Sequence, residues 1–308
     1  MIIRQLGSSD IQASVIGYGG WKAGKEGWYD AADEDALNAI AAALANDITF
    51  FDTAPIYGFG HSEELLGQAL KGRRDQVSIA TKVGLIWDDK RRVKKCLERK
   101  SVLGEIDASL KRLGTDHLDL IQVHWNDHLT PIEAVMEAFE KARDQGKVRY
   151  FGACNLDVET LERARQAETL VSVQVLYNLI DRNASRYLNE ELEYRTEDEI
   201  VPYCKQNTLG LIPYSPLGQG FLADDFDWRN LPKGDVRRLN RMFTENVARR
   251  EALQELARTS NLTLSQLALL WLARQEVVSS IIIGSTNPRH IEENVHTLDR
   301  LEELPAIP

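Results

Sequence analysis

Leu118-Asp119-Leu120-Ile121-Gln122-Val123-His124-Trp125, a helix-period segment over 130–145, and then Val148-Arg149-Tyr150-Phe151-Gly152-Ala153-Cys154 together decide the fold. The first and last pieces are short apolar runs of strand length, and the piece between them carries apolar residues at helical spacing. Thr130 is placed to cap that helix, Pro131 suits its first position, and Gly146 ends it. A strand, a helix and a second buried strand make one right-handed βαβ unit, which implies parallel pairing.

The same alternation runs outward in both directions. Segments 15–19, 48–53 and 77–83 precede this unit as strands, followed by helical patterns at 33–46, 62–71 and 101–113, with Ser62 and Ser101 as capping candidates. Beyond the unit come helix 158–166, strand 171–177, a helix around 196–206, strand 209–214 and strand 277–283. Two short runs at 2–6 and 11–15 flank a Gly-Ser-Ser-Asp turn and read as a hairpin. Eight strands, each followed by helical pattern, predict an α/β fold of the (β/α)8 TIM-barrel type, spanning 1–308 as one domain. A doubly wound sheet is the rival. Gly17-Tyr18-Gly19-Gly20-Trp21 does not match its G-x-G-x-x-G fingerprint, and no phosphate loop occurs. One connection, 217–244, is long enough to predict a lid after strand seven.

Composition narrows the partners. With 37 basic and 47 acidic side chains in 308 residues the formal charge is −10, which disfavours nucleic acid or an anionic membrane as partner. Hydrophobic residues make up 43%, ample for a large core. Cys96, Cys154 and Cys204 are scattered and odd in number, as expected of a reduced protein rather than a disulfide scaffold. The first ten residues lack the apolar run of a signal peptide, and no stretch approaches membrane-span length, so a cytoplasmic location is expected.

Barrels of this type carry chemistry at the C-terminal ends of their strands. Asp52 ends the second strand, with Tyr57 just beyond it; Lys82 ends the third and His124 the fourth. Each alone has a plain structural reading: a cap, a packing ring, a surface charge, a hydrogen-bonded histidine. Lys82, however, follows the apolar run Val77-Ser78-Ile79-Ala80-Thr81, where a buried ammonium requires a carboxylate partner, and Asp52 on the neighbouring strand supplies one. A cation beside a phenol lowers its pKa from about 10. Tyr57 is therefore expected to protonate a carbonyl oxygen positioned by His124, while Asp52 and Lys82 tune it. His124 and His128 stand four apart but straddle a strand end, so no metal site is expected.

In this order and spacing, Asp52, Tyr57, Lys82 and His124 resemble the catalytic tetrad of the aldo-keto reductases. Gly17 to Trp21, Gly152-Ala153-Cys154-Asn155, Gln174 with Tyr177-Asn178, Pro213 to Leu217, and Gly284-Ser285-Thr286-Asn287 to Glu293-Asn294 resemble further segments of that family in order. The length and lid resemble its bacterial branch, related to potassium-channel β-subunits. The resemblance implies reduction of an aldehyde or ketone with a nicotinamide cofactor, NADP(H) being expected and NAD(H) left open. It implies cofactor contacts from Gly20, Trp21 and Asp52. Asn155 and Gln174 would bind the carboxamide, Tyr214 the nicotinamide ring, and Ser215, Leu217 and Gly220 the pyrophosphate. Gly284, Ser285 and Thr286 would form an anion site, and Glu293 and Asn294 would reach the adenine. Arg289 and His290, helped by arginines of the lid, stand where a 2′-phosphate would be held, and Cys154 replaces a common serine. Trp21, Trp87 and Trp125, with Trp28 and the lid's Trp228, predict an aromatic substrate pocket. A redox-sensing regulatory subunit and a Schiff-base lyase using Lys82 are the alternative readings.

Overall fold

The computed structural model describes residues 1–25 and 32–307, so Trp28 lies outside the described residues. Strands β1 (Ile3–Gln5) and β2 (Gln12–Ser14) form the antiparallel hairpin. The chain continues through β3 (Ile16–Gly19), α1 (Asp33–Ala45), β4 (Phe50–Asp52), α2 (His61–Ala69) and β5 (Ser78–Val83). A small hairpin, β6 (Leu85–Trp87) with β7 (Val93–Lys95), precedes α3 (Arg99–Leu113). Then follow β8 (Leu118–Val123), α4 (Ile132–Asp144), β9 (Val148–Cys154), α5 (Val158–Ala167) and β10 (Leu170–Leu176). A second small hairpin, β11 (Arg186–Tyr187) with β12 (Glu190–Glu191), leads through a π-helical turn, Thr196–Ile200, into α6 (Val201–Asn207). The last elements are β13 (Gly210–Tyr214), α7 (Met242–Glu245), α8 (Val247–Thr259), α9 (Leu264–Ala273), β14 (Ile281–Ile283) and α10 (Pro288–His296).

Eight strands pair in parallel in the order β13-β10-β9-β8-β5-β4-β3-β14. The ring closes where Leu211 donates its N–H to Val277 O and accepts from Ser279 N, at 2.9 Å each. This is the (β/α)8 barrel expected from the sequence. The N-terminal hairpin plugs one end: Leu6, Ile11 and Ala13 pack on the inward-facing Phe50, Ala80, Leu120, Val171, Ile212 and Ile282. Arg4 ties that plug to the carbonyls of Ala273, Gln275 and Val278. Sealing that end with apolar side chains leaves the opposite end, where the strands finish, as the place for polar groups.

Local sequence signals were correct for element type and weaker for caps. Ser62 does not cap α2; Gly60 stands at that position, and Ser62 Oγ bonds Gly20 O and Thr53 Oγ1. Ser101 lies inside α3 and donates to Glu105 rather than opening the helix. At α4, Pro131 is the flanking residue, and Asp127 takes the N–H groups of Leu129 and Thr130. At Ser62 a tertiary partner outcompetes the local cap, whereas at Ser101 and Thr130 the competing carboxylates lie within four residues.

The lid at 217–244 has its own small core. Phe221 and Phe243 stack at 5.1 Å, with Trp228 6.2 Å from each, around Leu222, Leu231 and Met242. Two of its arginines have partners inside it. Arg237 pairs with Asp235 at 2.6 Å, and Arg238 donates to Leu231 O. All three cysteines are free thiols.

Candidate active site

The parallel register assembles the site from alternate positions of neighbouring strands. Lys82 lies opposite Gln122, Gln122 opposite Gly152, and Gly152 opposite Ser172. Gly152 is needed there, because a Cβ would stand 2.4 Å from Ser172 Oγ. Two residues further along the same strand pair, Cys154 lies opposite Gln174. The polar ends of these strands therefore face one another inside the barrel mouth.

Lys82, only 1% exposed, donates from Nζ to Asp52 Oδ1 at 2.7 Å, to Thr53 O at 2.9 Å and to Tyr57 Oη at 3.3 Å. All three ammonium protons thus have an acceptor, which is what burial of this charge demands. The second carboxylate oxygen of Asp52 accepts from Gln174 Nε2 at 2.9 Å and Gln122 Nε2 at 3.4 Å. Gln174 in turn accepts from the Cys154 thiol at 3.3 Å. Gln122 is a member of this network that sequence reasoning missed; it lies inside an apolar run without a motif to mark it.

Tyr57 is held by a tight turn after β4, its N–H bonded to Ala54 O. Its ring stands edge-on to His124 at 5.9 Å and 6.5 Å from Trp21. His124 follows β8 with its N–H on Val83 O and is buried. The four tetrad residues expected from the sequence are therefore brought together at one rim.

The electrostatics differ in one respect from expectation. Burial pushes the Tyr57 phenol above its ordinary value, outweighing the lowering by Lys82. Burial also pushes Lys82 down, but Asp52 and then Tyr57 reverse this, so its ammonium is held firmly. Burial, reinforced by Lys82, drives His124 well below the usual imidazole range, leaving it neutral. A protonated phenol, a fixed cation and a neutral imidazole form a proton-donating set rather than a basic one.

Around this set lie the other expected positions. Gly20 donates its N–H to Asp52 O, and a Cβ there would meet Ser62 Oγ at 2.4 Å. Asn155 adopts left-handed backbone (φ 55°) and donates to His124 O, while its Oδ1 accepts from Tyr194 at 3.0 Å and Tyr214 at 2.9 Å. Ser215 is also left-handed (φ 52°), Leu217 bridges barrel core and lid core, and Gly220 turns under Phe226. Beyond β14, Gly284, Ser285 and Thr286 lead into α10, whose N-terminus is capped by Asn287. On that helix Arg289 pairs with Glu293 at 2.7 Å; His290 is exposed and Asn294 half-buried. Of the tryptophans, Trp21 stands next to Tyr57, whereas Trp87 packs on Phe59 at 5.5 Å and Trp125 lies under the Lys95 ammonium at 5.1 Å.

These residues fit an extended dinucleotide. Asn178 is fully buried, its Nδ2 finds no partner, and it lines a small cavity with Ser215, Gly218, Gln219 and Tyr187. An unsatisfied buried donor beside a left-handed loop end suits a polar, anionic ligand passing along the rim. Among the described residues, no helix is long and apolar enough to cross a membrane.

The aldo/keto reductase family model matches residues 15–305. The chain is 33% identical to the NADH-specific methylglyoxal reductase of Escherichia coli (strain K12), with 96% of this chain and 92% of that protein covered. It is 32% identical to the aldo-keto reductase yakc [NADP(+)] of Schizosaccharomyces pombe (strain 972 / ATCC 24843), with 96% and 86% covered. Among solved structures, the glycerol dehydrogenase AKR11B4 from Gluconobacter oxydans superposes with a TM-score of 0.78 at 27% identity, covering 99% of this chain and 98% of that one. The protein belongs to the aldo/keto reductase family and is an oxidoreductase that reduces carbonyl groups with a nicotinamide cofactor.

Proposed function

We propose that this chain reduces small aldehydes and ketones to alcohols, with Tyr57 as proton donor and NADP(H) as preferred carrier. The observation that carries the reading is the fully satisfied Lys82 ammonium, bonded at once to Asp52, Thr53 O and Tyr57. When bound, the dinucleotide supplies hydride to the carbonyl carbon.

The protein does the rest. His124, neutral, offers a ring N–H to the carbonyl oxygen, and Tyr57 Oη stands beside it with its proton retained by burial. As negative charge grows on that oxygen, the proton leaves Tyr57, and the Lys82 cation already in contact stabilises the phenolate that forms. The raised phenol is thus compatible with the role: it keeps the donor loaded, and Lys82 acts on the product state. Asp52 fixes the Lys82 ammonium, and Gln174 and Gln122 fix Asp52. Asn155 and Gln174 would hold the carrier's carboxamide and Tyr214 its nicotinamide ring, while Ser215 and Leu217 would line the path of its pyrophosphate. Gly20 and Trp21 would close over it, Gly220 would leave room for its pyrophosphate, and the start of α10 from Gly284 to Thr286 would take its far phosphate.

Arg289 supports NADP(H). Its bridge to Glu293 is exposed on both sides and joins neighbours one helical turn apart, so a 2′-phosphate can displace it at small cost. The Schiff-base alternative is disfavoured because Lys82 is held as an ammonium, which is not a nucleophile. The test is oxidation of NADPH and NADH against a panel of aliphatic, aromatic and sugar aldehydes. Turnover of small carbonyls, faster with NADPH, is expected; no oxidation of either carrier with any of them refutes the reading.

A further inference from the structure

The connection after β10 carries no strand signal, yet it folds into the β11–β12 hairpin, in which Arg186 pairs with Glu191 and Tyr187 with Glu190. Its turn places Leu188 in left-handed backbone (φ 54°), a position without the usual Gly or Asn marker. This hairpin delivers Tyr187 to the barrel mouth. The Tyr187 ring lies 6.3 Å from Trp21 and edge-on to Tyr214 at 5.1 Å, and Trp21 in turn neighbours Tyr57.

The ring is fixed from several sides. Gln219 Nε2 donates to Tyr187 Oη at 3.2 Å, Ser215 Oγ lies 3.5 Å from it, and Asn240 holds Gln219 from behind at 2.9 Å. Glu190, opposite Tyr187 in the hairpin, pairs with Lys95 of the β6–β7 hairpin at 2.9 Å, and Lys95 covers Trp125. The two hairpins rise from separate edges of the mouth and meet there. Burial pushes the Tyr187 phenol up to about 12, so its hydroxyl stays a neutral hydrogen-bonding anchor and does not compete with Tyr57 for proton transfer. A planar ring anchored at its far end and packed between two aromatic rings is a rigid wall.

We infer that Tyr187 is a specificity-determining residue: the wall of the carbonyl pocket that limits substrates to small aldehydes and ketones and excludes aromatic ones. The inference rests on the reading that Tyr57 donates the proton. It differs from that reading in predicting what the pocket excludes, which binding alone reports.

The experiment compares wild type, Tyr187→Ala and Tyr187→Phe. Turnover of methylglyoxal and of 4-nitrobenzaldehyde is measured with NADPH. In parallel, tryptophan fluorescence gives dissociation constants of acetamide and benzamide, two carbonyls that are not reduced, on the protein saturated with NADP⁺. Thermal midpoints confirm folding. In Tyr187→Ala the kcat/KM ratio of the aromatic over the small aldehyde rises at least tenfold through a fall in KM, and benzamide tightens relative to acetamide by a similar factor. Tyr187→Phe, which keeps the ring, stays within threefold of wild type in both ratios. Unchanged ratios in Tyr187→Ala, or an equal shift in Tyr187→Phe, overturn the inference. If wild type reduces neither aldehyde yet Tyr187→Ala still tightens benzamide, the wall stands and the proton-donor reading falls.

Discussion

Two ion pairs in this molecule have the same separation, 2.7 Å, and opposite significance. Lys82–Asp52 lies inside the barrel mouth with side chains 1% and 4% exposed; Arg289–Glu293 lies on α10 with 81% and 54% exposed. In the first, every ammonium proton is bonded and water is excluded, so the charge has a fixed position and a fixed strength. In the second, solvent screens the pair and either partner can be exchanged. Distance alone does not distinguish them; burial and completeness of hydrogen bonding do. A fixed charge suits proton transfer, and an exchangeable one suits ligand selection.

The largest test removes the fixed partner. Asp52→Asn leaves the Lys82 ammonium buried without a countercharge and should destabilise the fold by about 3–5 kcal/mol in denaturant unfolding. A loss below about 1 kcal/mol would mean the two pairs are alike and the contrast is wrong. Next, Tyr57→Phe keeps the ring and its packing but removes the proton. Its kcat/KM for small aldehydes should fall roughly 10²–10⁴-fold while NADPH affinity, followed by fluorescence, changes little. Near-normal turnover would place the proton donor elsewhere.

Glu105 sharpens the comparison from a third direction, as a half-buried carboxylate with no bonded cation among the described residues. Burial raises its carboxyl to about 7, against the N–H of Gly84 and the hydroxyl of Ser101. A folded-state value above the unfolded one means that its stability contribution is complete below about pH 4.5 and lost as pH rises through about 7. Glu105→Gln should therefore gain stability over wild type at pH 8 relative to pH 5, by up to about 3 kcal/mol. An equal difference at both pH values would rule out the shifted carboxyl. The smallest effect belongs to the exposed pair. Arg289→Ala should change stability by no more than about 0.5 kcal/mol. It should weaken NADPH roughly tenfold, the value of one charge-assisted phosphate contact, and leave NADH within twofold. Equal weakening of both carriers would remove Arg289 from the 2′-phosphate.

Much of this was legible in the chain. Apolar runs such as 118–123 and 148–154 alternate with helical periodicity because each strand is buried on both faces and each helix on one. That pattern is local, and it fixed the barrel and the strand ends that bear Asp52, Lys82 and His124. The cap signal at Ser62 fails because its hydroxyl bonds Gly20 O, distant in sequence; at Ser101 and Thr130 the competitors are the nearby carboxylates of Glu105 and Asp127.

Residue order by itself therefore determined the architecture and the tetrad, since buried strands and a buried ammonium impose requirements visible in neighbouring letters. Only the tertiary structure decided the sign of the Tyr57 shift, because desolvation depends on everything packed around the phenol, and the charge of Lys82 contributes less. It alone decided that Arg237 and Arg238 bond within the lid and that Tyr187 reaches the mouth. Those outcomes depend on which loops meet in space, a competition among long-range contacts that no single segment records.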